Sequence, residues 1–159
     1  RVLFRSDVCI TNTNRQAHTL METVGQAKVD VMAQRIQAIN IARDLAERVR
    51  VNREGWLGTN RYLAEFSGTQ ARADTTPDCA AANCTAAQLA DFDVAELSAY
   101  AVQYGMTLGM SACPSTNGRQ CLFVAWGNTV ASSSTSNTNS CVSGNAYRTS
   151  STCVMMEVY

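Results

Sequence analysis

The sequence predicts an α+β domain in which a long N-terminal helix packs on a small antiparallel β-sheet with disulfide-closed loops. Three observations carry that reading. A Pro-free, helix-forming stretch with an amphipathic period occupies the first third of the chain. Three runs rich in β-formers follow Gly105 and are separated by turn residues. Six of the seven cysteines fall between Cys79 and Cys153. The chain has 159 residues, 46% of them hydrophobic, which suits one core and is short for two.

Between about Gln16 and Arg53 the residues are mostly Ala, Gln, Arg, Leu, Met and Glu, so propensity favours one helix. At about 100° per residue, Leu20, Val24, Ala27, Val31, Ala38, Ala42, Leu45 and Val49 cluster on one face, with Met32, Ile36, Ile39 and Ala46 widening it. The opposite face carries Arg43 with Glu47 and Asp44 with Arg48, which are i,i+4 pairs expected on a solvated surface. The stripe is wider than the roughly 100° that packing on one sheet requires. Part of it, represented by Leu20, Val24, Val31, Ala38, Leu45 and Val49, is therefore expected to pack against another subunit. Gly55 and Gly58 bracket Trp56 where the period stops, so the helix is expected to end near Glu54. About 38 residues at about 1.5 Å each give a rod near 57 Å, long enough for one end to project.

Residues 59–84 read as a connector with one helical turn around Tyr62 to Phe66. Thr85 to Gln88 (TAAQ) has the form of a capping box and opens a second helix. Leu89, Phe92, Leu97, Tyr100 and Tyr104 mark its apolar face, and Gly105 stops it. The strands are Met106 to Ala112, Gln120 to Trp126 and Thr152 to Tyr159. Residues 131–140 are low in complexity and polar, and read as a loop outside the core.

The three bridges are read from the same spacing. Six cysteines allow about 15 pairings. Sequence neighbours with turn signals between them favour Cys79 with Cys84, Cys113 with Cys121, and Cys141 with Cys153. Oxidised cysteines place the chain outside the cytoplasm. The balance of basic and acidic residues, with Lys28 the only Lys, gives no net field to recruit nucleic acid. Cysteine gaps without a Cys-x-x-Cys pair and a single His18 argue against zinc. No nucleophile–base motif or phosphate loop stands out, so no cofactor and no catalysis are expected. Trp56 and Trp126 read as core residues before they read as a ligand platform. Arg1 to about Asn14 has the look of a non-native leader, which divides the chain into a leader 1–14, a helix 15–54 and a globular head 55–159.

Two segments add a resemblance. Ala42 to Arg53 (ARDLAERVRVNR) resembles the segment closing the spine helix of type IV minor pilins of the PilV type, and Cys84 to Glu96 (CTAAQLADFDVAE) resembles the opening of their second helix. The resemblance runs from about Val29 to Tyr159 and is strongest over 36–97. It implies a pilin head that contacts other minor and major pilins through its N-terminal helix and meets the inner-membrane assembly machinery. It further implies a role in initiating the pilus or completing its tip, with a surface or host ligand as a further partner. Such proteins carry an apolar anchor behind a processing motif. Thr19 to Val24 (TLMETV) mimics that motif, but Gly25, Gln26, Lys28 and Asp30 would not suit a bilayer, so the anchor is expected upstream. The competing expectations are a secreted disulfide-stabilised adhesin and a type II secretion pseudopilin, with a hydrolase least favoured.

Overall fold

A computed structural model describes residues 24–57, 60–66, 77–114 and 118–158. Among them four helices precede six strands: α1 (Lys28–Val51), α2 (Arg53–Trp56), α3 (Arg61–Phe66), α4 (Ala86–Val102), β1 (Met106–Ala112), β2 (Gln120–Trp126), β3 (Val130–Ser133), β4 (Ser140–Ser143), β5 (Ala146–Tyr147) and β6 (Cys153–Val158). The leader 1–14, Leu20 and the TLMETV start lie outside the described residues.

The first helix is shorter than its periodicity suggested. Val24 to Ala27 form a turn with Gly25 at φ 87°, and regular helix starts only at Lys28. Its 24 residues make a rod of about 36 Å. A single glycine with local backbone freedom outweighed the propensity of its neighbours. At the other end Asn52 closes α1 and caps α2, its side chain accepting from the amide of Gly55.

Thr85 accepts from the Gln88 amide while the Gln88 side chain accepts from the Thr85 amide, so the capping box forms and α4 begins there. Its buried face differs from expectation. Ala90, Val94, Leu97 and Ala101 face the core, at i, i+4, i+7 and i+11, whereas Tyr100 and Tyr104 stand exposed. Small side chains let α4 approach close, and bulky aromatics at the wrong phase are turned outward.

Sheet one has the order β1-β2-β6, antiparallel throughout. One face of β2 gives Leu122 and Val124 to a core shared with Ile41, Leu45 and Val49 of α1. Its other face gives Cys121, Phe123 and Ala125 to a second core with Cys141 and Val142. Burial on both faces explains the unbroken apolar run of that strand.

The polar stretch 131–140 is not a plain loop. β3 pairs parallel to β4, and β4 antiparallel to β5, in a second sheet covering the first. Polar groups hold it: the hydroxyl of wholly buried Ser140 lies within hydrogen-bond reach of the carbonyls of Ser134, Asn137 and Val142, to any one of which it can donate, and the Arg148 guanidinium donates to Ser134, Thr135 and Ser140. Apolar patterning cannot register a segment stabilised this way. Against it, Gly109 of β1 leaves room for β3: a Cβ there would stand 1.9 Å from the Ala131 carbonyl oxygen.

Candidate functional site

The two segments that carry the resemblance meet in space. Asp44 and Arg48 of α1 and Asn52, which closes it, recur every fourth residue and so line one row of the helix. Asp93 lies on the facing side of α4, and α3 inserts Tyr62 between them after Asn60, at φ 45°, caps it by accepting from the Leu63 amide. Tyr62 is wholly buried and donates its hydroxyl hydrogen to Asp93 Oδ2 at 2.6 Å. Asn52 Nδ2 donates to the Tyr62 oxygen at 3.1 Å and to the Ala86 carbonyl at 2.8 Å. Arg48 donates to Asp93 Oδ1 at 3.1 Å, to Asp44 at 3.0 Å and to Glu96.

Gly55 makes this geometry possible. A Cβ there would lie 2.6 Å from Asn52 Nδ2 and 2.9 Å from the Ala86 carbonyl, the two groups that join the helix ends. The sequence shows the glycine but not the backbone approach that requires it.

Burial raises the Tyr62 hydroxyl well above the ordinary phenol value, and neighbouring Asp93 raises it further, so Tyr62 remains a donor. Burial also raises the Asp93 carboxyl; the bonds from Tyr62 and Arg48 offset only part of that effect. For Arg48, burial works against the charge, but the hydrogen bonds it donates to Asp44, Glu96 and Asp93 outweigh it and the pKa rises. Asp44 with Arg48 is therefore not a detached solvated pair. It is the outer edge of an interhelical hub whose buried groups are matched donor to acceptor. Glu47 pairs with Arg50.

The expected subunit-packing residues divide. Ala38, Leu45 and Val49 are enclosed by this chain's own α4 and sheet one, and Val31 is buried as well. In this structure Ala38, Leu45 and Val49 are core positions, because the head uses that part of the stripe to cover its own sheet. Val24 is exposed, and Leu20 is outside the described residues. The large apolar residues of α1 left in solvent are Val29, Met32 and Ile36, one row at i, i+3 and i+7, together with Val51 at its end.

Cys79 is bonded to Cys84, Cys113 to Cys121, and Cys141 to Cys153. The first closes the turn before α4, the second the β1–β2 connection, and the third ties β4 of sheet two to β6 of sheet one. Trp56 and Trp126 are half-buried against the first core. Among the described residues no group of three His, Cys, Asp or Glu could hold a metal ion, and no helix is long and apolar enough to cross a membrane.

Residues 25–95, a little under half of the chain, match the Tt1218-like family, described as type IV pilin Tt1218. That span takes in α1 to the middle of α4, with every hub residue but Glu96 inside it. The match supports a type IV pilin, and a helix laid on a small antiparallel sheet with three disulfides is a pilin-like arrangement. A second likeness is short. The tRNA threonylcarbamoyladenosine dehydratase of Escherichia coli (strain K12) is 65% identical over 34 residues, 21% of this chain and 13% of that enzyme. The Bacillus subtilis (strain 168) protein of the same name is 61% identical over 36 residues, 23% and 14% respectively. The chain thus spans about one seventh of these enzymes, less than a folding domain. No solved structure matches.

Proposed function

From the likeness to type IV pilins, we propose that residues 28–158 are the head of a minor pilin of the PilV type, a structural subunit that helps initiate the pilus or complete its tip. The observation that supports it is the hub: the two segments resembling such pilins pack against each other, and both fall in or at the edge of the family match. In this reading no residue performs catalysis, and contacts with neighbouring pilins fall to Val29, Met32 and Ile36. The subunit waits in the inner membrane before assembly and ends at the cell surface. In this reading its native gene encodes, upstream of the head, about 20 apolar residues, the length a bilayer requires.

The test is deletion of the gene in the source organism, with pili counted by electron microscopy. Loss of pili, restored by the wild-type gene and not by a folded Ile36→Asp variant, is the expected outcome. Normal piliation with reduced surface attachment would instead identify a secreted adhesin.

The dehydratase likeness is read as a joined segment and not as an activity, since high identity over so short a stretch, in a chain that also matches a pilin family, is what two fused coding sequences produce. One uninterrupted read across the source locus tests this. An intact frame through both stretches in the genome would refute the join.

A further inference from the structure

Register places two turns side by side. Met106 of β1 pairs with Trp126 of β2, so Tyr104 and Gly105, which lead into β1, lie next to Gly127 and Asn128, which leave β2. Both glycines have positive φ, 67° and 64°, letting the backbone reverse with no side chain to obstruct the opening. The segment before β6 completes a third side. Trp126 N donates to the Thr152 carbonyl at 3.0 Å, Thr152 N donates to Thr129 Oγ1 at 2.8 Å, and the Thr152 hydroxyl donates to the Trp126 carbonyl. The floor is thereby fixed before anything binds.

Between these turns and the start of α1 lies a groove of about 480 Å³. Its chemistry is unlike that of the hub. Tyr104 and Trp126 supply aromatic surface, Gln26, Gln34 and Asn128 supply side-chain amides, and Ser150 a hydroxyl. None of the described lining residues carries a charge. The three amides and Ser150 are exposed, and no hydrogen bond of these side chains occurs within the described residues.

An anionic or cationic ligand would lose hydration in this groove and find no counter-charge. A purely apolar ligand would strand four sets of donors and acceptors. A neutral polyhydroxylated ligand meets both conditions: an amide donates and accepts at once and can span neighbouring hydroxyls, while the C–H face of a sugar ring packs on an aromatic ring. We propose that this groove is a binding site for a neutral oligosaccharide, with Tyr104 and Trp126 as the packing surface and Asn128, Gln34 and Ser150 as the hydroxyl readers. The site is independent of the pilin reading, and neither proposal falls with the other, since piliation is read separately.

Saturation-transfer NMR on the full chain with maltohexaose, chitotriose and mannohexaose, and with heparin hexasaccharide as a charged probe, tests it. At least one neutral oligosaccharide binds, and Tyr104→Ala and Asn128→Ala each weaken it about five- to tenfold, the loss of roughly one packed or hydrogen-bonded contact. Both positions are exposed, so both variants fold as judged by circular dichroism, and Val102→Ala, exposed outside the groove, leaves binding unchanged. No neutral oligosaccharide bound, binding of heparin alone, or binding indifferent to both groove variants would each overturn the proposal.

Discussion

Replacing Tyr62 with Phe removes one oxygen from the centre of the hub and leaves the ring in place, so packing is almost unchanged. What is lost is the 2.6 Å bond to Asp93 Oδ2 and the acceptor for Asn52, which keeps its second bond to the Ala86 carbonyl. The dominant cost is a buried carboxylate oxygen without its donor. A hydrogen bond to a charged group contributes about 1.5–3 kcal/mol. For a domain of this size about 3 °C of Tm accompanies each kcal/mol, giving a fall of roughly 5–9 °C. The sign of the pH dependence follows from Asp93. Its carboxyl is raised in the folded state by burial, so the native protein takes up that proton more readily than the unfolded chain. Its contribution is therefore most favourable in acid and is lost as pH rises through the folded value. The Phe variant raises that value further, so its penalty is full near neutrality and shrinks toward about pH 4, where a protonated carboxyl no longer needs the phenol. Calorimetric melts of the oxidised protein at both pH values measure this. A penalty equal at the two, or a Tm change below about 1 °C, would show that Tyr62 serves only as a packed ring.

Leu45→Asp places a charge in the wholly buried contact of α1 with sheet one and should cost several kcal/mol, abolishing the cooperative melt, while exposed Arg43→Ala should leave it within about 0.5 kcal/mol. Gly109→Ala cannot fit its methyl beneath Ala131 without moving β3, so it should cost about 1–3 kcal/mol and speed exchange of the Val130 amide, which now donates to Asn139. Replacing both cysteines of the 79–84 bridge with Ser should cost about 2 kcal/mol by chain entropy. The same change at 141–153 should cost at least about 3 kcal/mol, because that longer loop also fastens the two sheets; equal losses in urea titrations would contradict this.

The sequence marks those parts of the fold whose signal is local. β1 and β2 announce themselves by composition and turn residues, and α4 by a capping box that needs only Thr85 and Gln88. Where the signal depends on a distant partner, the reading stops. Asp44 and Arg48 are indistinguishable in sequence from an ordinary surface pair; only the approach of α4 turns them into a junction with Asp93. The second sheet is held by Ser140 and Arg148, whose bonds are specific and not periodic, so no pattern of apolar residues reveals it. The groove beside Trp126 is assembled from segments more than a hundred residues apart, and its alignment depends on strand register.

The contact of α1 with β6 has a consequence for how the head is made. Lys28–Val51 is synthesised early, yet part of its apolar face is covered by Cys153–Val158, the last strand. Such a long sequence separation makes closure slow, because the loop entropy is lost before the contact forms. Until β6 leaves the ribosome or the export channel, the side of α1 that meets it stays uncovered even if β2 and α4 are already in place, and that side remains open to capture by chaperones. Loss of β6 alone would thus be felt first at α1, more than a hundred residues earlier, as an uncovered helix face.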